Sequence, residues 1–319
     1  MASEPALRVA VGVLINAAGE VLIAWRDSGR HQGGCWEFPG GKIKRDEPAL
    51  HALGRELDEE LGIELLHSKP LIQIPYAYSD RRVLLEVFEV TQWRGELYGR
   101  EGQALHWCSP HSLDPADFPA ANQCIITALR LPAHYVITPH CEEQNAWLSG
   151  LDAALARGER LLQFRVRAQV SDRMALARLA LARCHSQGAK MLVNHDFRLA
   201  AAIGADGVQV NAQQLTQGIT KPEGFVGWLG ASCHNRSELA AAQAMGADFA
   251  LLSPIQPTQS HPQTIPLGWP TFSQWVAEVA MPVYALGGMQ ASDVRIARIH
   301  GGQGVAGISG FWGEIKKSS

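Results

Sequence analysis

The chain has 319 residues, 46% of them hydrophobic and 18% charged, which is long for one core and too apolar for a disordered chain, so two packed domains are expected. A net charge of -3 supplies no basic footprint for a nucleic-acid polymer. The six cysteines, Cys35, Cys108, Cys124, Cys141, Cys184 and Cys233, form no CxxC pair and no zinc spacing, which fits a reducing compartment. Residues 1–10 lack the basic and apolar regions of a secretory signal, and no run of about 18 apolar residues follows; a cytoplasmic protein without a membrane partner is expected.

In chain order, residues 7–15 alternate around Val9, Val11 and Val13, 17–20 supply turn residues, and 21–25 resume an apolar run. This pattern predicts a hairpin. Gly33, Gly34, Pro39, Gly40 and Gly41 then break regularity before 48–61, where Leu50, Leu53, Leu57 and Leu61 recur at helical spacing up to a Gly62 C-cap. Strand-like runs cover 72–78 and 83–91, and a helical pattern covers 123–131. Strands, helix, strands, helix is an α+β order.

Beyond Leu131 the texture changes to eight short apolar runs, at 135–138, 161–165, 191–194, 207–210, 226–230, 249–253, 283–286 and 305–309, separated by helical patterns. Such alternation predicts a parallel sheet with crossover helices, and eight units fit an α/β (β/α)8 TIM-type barrel. Pro132 ends the preceding helix, which places the domain limits at 1–132 and 133–319.

The densest chemistry lies on the first helix. Glu56, Glu59 and Glu60 stand at i, i+3 and i+4, so one face carries three carboxylates. Like charges so close repel unless a divalent cation or a basic residue neutralises them; oxygen donors favour magnesium or manganese, and Arg55 can brace a carboxylate with its fork. A plain solvated acidic face is the alternative for any Glu-rich helix. Gly40 and Gly41, lacking Cβ atoms, can bring backbone carbonyls to the same ion.

Gly41, five residues, Glu47, seven residues, then Arg55-Glu-Leu-Asp-Glu-Glu-Leu-Gly-Ile63 matches the Nudix signature at all nine fixed positions. Residues 7–132 further resemble the MutT-type 8-oxo-dGTP diphosphatases through Glu-Phe-Pro-Gly-Gly-Lys-Ile at 37–43, Tyr-Gly-Arg-Glu-Gly-Gln at 98–103 and Asp-Phe-Pro-Ala-Ala-Asn at 117–122. The resemblance implies an α+β Nudix fold and magnesium-dependent hydrolysis of a nucleoside triphosphate, 8-oxo-dGTP, to 8-oxo-dGMP and pyrophosphate. It implies a metal shell of Gly40, Glu56, Glu59, Glu60 and Glu101, with Glu56, Glu59, Glu60 and Arg55 as the catalytic set. Asn122 would read the oxidised guanine, offering a donor and an acceptor to its O6 and N7-H edge; a helix N-cap is its other reading. Arg26, Phe38, Tyr78 and Leu85 fall where that family lines its nucleotide pocket, and the charges of Lys42 and Arg81 suit phosphate.

Residues 135–311 resemble the thiamine phosphate synthase and TenI-type tautomerase group through Gln163-Phe-Arg165, Asn194, and the glycine-rich segments at 204–209, 230–234, 246–254, 286–289 and 305–309. A phosphorylated thiazole or pyrimidine ligand is implied, with Gly287, Gly288 and Ser309 cradling phosphate. The sequence also departs from that group. Where it holds magnesium with aspartates, this chain has His195 and Gln214; Asp196 stands beside the first position, His261 replaces a phosphate-binding lysine, Pro254 replaces the tautomerase histidine, and Arg167 is the next base after Arg165. Loss of the usual synthase activity is therefore expected. A thiamine-pathway pyrophosphohydrolase, or a barrel that senses a phosphorylated ligand, are the competing readings. His195, His234 and His261, standing singly, read as ordinary packing or surface residues.

Overall fold

A computed structural model describes residues 6–29, 33–167, 172–258 and 263–312. The chain divides into two compact units, Met1–Arg130 with Ala277–Ala280, and Leu131–Val276 with Met281–Ser319. Among the described residues no helix is long and apolar enough to cross a membrane.

In the first unit the valine alternation sorts side chains to two faces. β1 (Leu7–Leu14), β2 (Val21–Arg26), β3 (Cys35–Glu37) and β4 (Gly40–Lys42) precede α1 (Ala49–Leu61); β5 (Glu64–Ala77), β6 (Arg82–Arg94), β7 (Leu105–Cys108) and α2 (Ala120–Arg130) follow. Ala10 and Leu14 of β1 pack with Ala52, Leu53, Leu57 and Leu61 of α1. Val11 and Val13, one position out of phase, pack with Ile125, Ile126 and Ala128 of α2. The period of two thus puts one helix on each face of the sheet.

The predicted hairpin does not form. β1 lies between β4 and β6 in a four-stranded sheet, while β2 pairs with β3 and β7 in another, and a single bridge, Ile15 to Val21, joins the two strands locally. Both edges of β1 are occupied by distant partners, with Leu7 to Leu14 running parallel to Val83 to Val90. The helix at 48–61 forms as α1, with Pro48 at its N-cap and Gly62 in the left-handed conformation at φ 72°. Leu50, expected on its buried face, is 47% exposed, and Ala52 takes the inward place. The helix expected over 123–131 begins three residues earlier, after Pro119, whose ring suits a helix start.

In the second unit eight parallel strands close a barrel: β8 (His134–Ile137), β9 (Leu161–Phe164), β10 (Lys190–Asn194), β11 (Gly207–Val210), β12 (Trp228–Cys233), β13 (Phe249–Leu252), β14 (Val283–Leu286) and β15 (Gly304–Gly307). Tyr135, Leu161, Leu192, Phe249, Leu251, Tyr284 and Ala306 form one buried cluster, so the barrel is filled rather than open. The run expected at 226–230 starts late, because β12 pairs from Trp228 onward with Gly207 of β11 and leaves Val226 95% exposed.

Candidate active site

A cavity of about 510 Å³ in the first unit gathers most of the residues singled out in the sequence. Glu56, Glu60, Glu101, Gly40, Gly41 and Lys42 line one part; Arg26, Phe38, Tyr78, Arg81, Leu85 and Asn122 line the rest. Glu59 is absent from that wall: its side chain is 56% exposed and turns to Arg55, at 3.4 Å. The three-carboxylate face therefore splits, with the i, i+4 pair inside and Glu59 at the rim.

Arg55 braces the helix against the preceding loop. Its Nε and Nη2 donate to the two oxygens of Glu47 at 3.1 and 3.0 Å, Nη1 donates to Glu56 Oε1 at 2.7 Å, and Nη2 also reaches the Lys42 carbonyl at 3.1 Å. The fork holds the Glu47 carboxyl down at about 2, and it fixes the Glu56 carboxylate without removing it from the cavity.

Glu60 is the most perturbed acid. Burial pushes its carboxyl up to about 8, against the opposing Gly40 N-H, and the charges of Glu37, Glu56 and Glu101 push the same way. Gly40 N donates to Glu60 Oε2 at 3.1 Å. The loop bearing Glu101 is stapled to the last turn of α1, since Arg100 N and Gln103 Nε2 both donate to the Glu60 carbonyl, at 2.9 and 3.0 Å. That staple explains how a residue 41 positions beyond Glu60 acts on it.

Two glycines are needed here for different reasons. Gly40, at φ 145°, would place a Cβ 2.2 Å from the Ala10 carbonyl oxygen, whereas the atoms nearest a Cβ on Gly41 belong to the side-chain carboxylate of Glu56, at 2.1 Å. Gly40→Ala is expected to cost about 1–3 kcal/mol of stability through backbone strain. Gly41→Ala should melt close to the wild type but lose activity by displacing Glu56. Parallel thermal melts and rate measurements check the contrast, and equal melting losses in both variants would contradict it.

At the other end, Phe38 is buried and stacks on Phe118 with ring centroids 5.7 Å apart. Asn122 lies inside the first turn of α2, so it is not the N-cap; its Oδ1 accepts from Phe38 N at 3.4 Å. A carbonyl oxygen has two lone pairs, so this contact orients the amide and leaves acceptor capacity. Tyr78 OH accepts from Ala121 N at 3.4 Å. Arg81 is paired with Asp80 at 2.8 Å.

Glu37 was not foreseen as a site residue. It lines the cavity and pairs with Arg26 at 2.6 Å, because β2 and β3 pair Arg26 with Cys35 and leave Glu37 one diagonal step away. Its position just before the Phe-Pro-Gly-Gly turn was the available signal.

Among the described residues no three His, Cys, Asp or Glu side chains already converge on one point as a closed metal cage. The donor chemistry nevertheless suits a hard divalent cation: Glu56 and Glu60 are all-oxygen donors in one cavity, and the acid held at about 8 by burial, with neighbouring carboxylates adding to it, is the group a cation would ionise.

The barrel's candidate residues lie beyond the carboxyl ends of its strands. Gly287 and Gly288 follow β14 with φ of 98° and 72°; a Cβ there would stand 2.8 Å from Pro254 Cα and 2.8 Å from the Pro257 carbonyl. The backbone path alone thus requires both glycines. Ser309 opens a short helix after β15. His234 is engaged with Glu238 at 3.1 Å, and His261 lies outside the described residues.

The magnesium positions of the synthase group do not fit a cation here. Asn194 Oδ1 accepts from Gln163 Nε2 at 3.0 Å. The Gln214 side chain is consumed by a capping box with Asn211 and by the His195 carbonyl, at 3.1 Å. Asp196 caps the following helix through Leu199 N, at 2.9 Å, and pairs with Arg173 at 2.8 Å.

Two family models match, NUDIX domain over residues 10–128 and Thiamine monophosphate synthase over residues 134–311. The 8-oxo-dGTP diphosphatase of Escherichia coli is 39% identical over 124 residues, covering 39% of this chain and 96% of that protein. The CTP pyrophosphohydrolase of the same organism is 40% identical over 114 residues, 34% of this chain and 84% of that protein. The thiamine-phosphate synthase of Thioalkalivibrio sulfidiphilus is 32% identical over 192 residues, 58% of this chain and 90% of that protein. The chain is thus a Nudix hydrolase in its N-terminal part and a member of the thiamine monophosphate synthase family in its C-terminal part.

Proposed function

We propose that residues 1–132 hydrolyse 8-oxo-dGTP to 8-oxo-dGMP and pyrophosphate with magnesium, and that residues 133–319 form a barrel that has lost the usual synthase activity. The observation that carries the first part is one cavity holding Glu56, Glu60 and Glu101 together with Phe38, Tyr78 and Asn122: an acidic region for a metal-bridged phosphate chain beside an apolar slot with one oriented amide.

In this reading Glu56 and Glu60, with Glu101 and the Gly40 backbone, would hold the cation. Magnesium, when bound, neutralises the phosphate chain and lowers the charge barrier to attack by water. Arg55 keeps Glu56 aimed into the cavity. Glu59, exposed beside Arg55, would complete the carboxylate set, and Lys42 and Arg81 would meet outer phosphate oxygens. Water adds at phosphorus, the P–O–P bond breaks, and pyrophosphate separates from the nucleoside monophosphate. Hydrolysis of a cytidine triphosphate is the second reading, favoured by the identity to the CTP enzyme. Release of pyrophosphate rather than orthophosphate, from 8-oxo-dGTP in preference to dGTP and CTP, tests the assignment.

A further inference from the structure

The loop that carries Glu101 is built onto the carbonyl end of α1. The last carbonyls of a helix have no partner within it, and the loop supplies donors to three of them. Tyr98 N donates to the Leu61 carbonyl at 3.3 Å, Arg100 N to the Glu60 carbonyl at 2.9 Å, and Arg100 Nη1 to the Asp58 carbonyl at 2.9 Å. Residues 99–102 then turn tightly. Gly102, at φ 80°, donates to the Gly99 carbonyl at 3.0 Å, and a Cβ on Gly99 would stand 2.2 Å from the Gln103 carbonyl oxygen. Glu101 sits within that turn.

The Gln103 side chain, half-buried, closes the turn onto the helix. Its Nε2 donates to the Glu60 carbonyl at 3.0 Å, while its Oε1 accepts from Glu101 N at 2.9 Å. A carbonyl can only accept and an N-H can only donate, so both partners fix the same orientation of the amide. One planar group therefore joins the backbones of two residues whose side chains line the same cavity. Satisfying those two backbone groups does not require it: the Glu60 carbonyl already accepts from Arg100 N, and Glu101 is exposed to water. What the pair of contacts adds is a fixed spacing.

We infer that Gln103 is a positioning residue for the metal shell, its amide holding Glu101 at a set distance from Glu60 and so setting the affinity of the shell for magnesium. The inference rests on the reading of Glu101 as a ligand made above. Few side chains could substitute. Glutamate would set an acceptor against the Glu60 carbonyl, methionine has the length but neither polar group, and asparagine is too short to span both partners. Groups that orient a ligating side chain account for roughly 10- to 100-fold in metal affinity.

The test is calorimetric titration of magnesium into the nucleotide-free, full-length protein. Gln103→Met should weaken binding about tenfold or more, and so should Gln103→Asn. In a Glu101→Gln background, Gln103→Met should add less than about twofold, because it acts through that carboxylate. A part in folding alone would lower the melting temperature and leave the magnesium affinity in place. Should Gln103→Met fold poorly, Gln103→Asn carries the same comparison. Unchanged affinity in the Gln103 variants, or full additivity with Glu101→Gln, would overturn the inference while leaving Glu101 a ligand. Unchanged affinity in Glu101→Gln itself would overturn the ligand assignment and the inference with it.

Discussion

Glu60→Gln should abolish turnover while making the metal-free protein more stable at alkaline pH. The activity loss is expected at about a thousandfold, the size of losing a group that acts on the reacting centre. The stability gain follows from burial. Glu60 in the folded protein holds its proton up to about 8, against an ordinary value of 4.5. Between those two pH values the folded state binds a proton that the unfolded chain has released, so its contribution to stability falls as pH rises through the window. Gln cannot ionise, and it can still accept from Gly40 N. In EDTA the melting temperature of the wild type should therefore drop more steeply from pH 5 to 8.5 than that of the variant.

Magnesium should reverse this drop in the wild type. Occupancy at about 100 times Kd adds roughly 2.7 kcal/mol, or roughly 5–10 °C in a unit of this size. The shift should be larger at pH 8.5 than at pH 5.5, where the cation competes with the proton. Thermal melts with and without magnesium measure both. A magnesium shift that is equal at the two pH values, or retained in Glu60→Gln, would remove Glu60 from the metal shell.

Asn122→Ala should erase the preference for the oxidised base. The amide is oriented by Phe38 N, so its Nδ2 can donate to O6 and its Oδ1 can accept the N7-H that only 8-oxoguanine carries. Unoxidised guanine would set its N7 acceptor against Oδ1 and leave both unpaired. Such a mismatch costs about 1–3 kcal/mol, or roughly 5- to 150-fold in relative kcat/KM. The variant should lose that factor for 8-oxo-dGTP and little for dGTP. An equal loss on both substrates would return Asn122 to a structural part that supports Phe38.

Local spacing carried much of this structure. The positions of Leu53, Leu57 and Leu61 and the Gly62 cap gave α1, and Glu56 with Glu60 gave the acidic part of the cavity. Seven of the eight barrel runs coincided closely with strands, because short apolar stretches between amphipathic helices leave few other folds. What failed was long-range. No local rule reveals that β1 pairs with β6 rather than with β2, and a turn-rich segment between two apolar runs looks like a hairpin until both edges are spoken for. Glu37 escaped notice for the same reason: its pairing with Arg26 depends on β2–β3 register. Glu59 shows the reverse limit. Helical spacing put it on a face with Glu56 and Glu60, but its side chain is 56% exposed and lies outside the cavity, beside Arg55.

The most direct measurement is a competition among 8-oxo-dGTP, dGTP and CTP at equal concentration, with full-length protein and magnesium, following orthophosphate and pyrophosphate separately. Faster consumption of 8-oxo-dGTP, with one pyrophosphate released per nucleotide and no orthophosphate, is the predicted result. Equal consumption of dGTP, a preference for CTP, or orthophosphate as the product would contradict it.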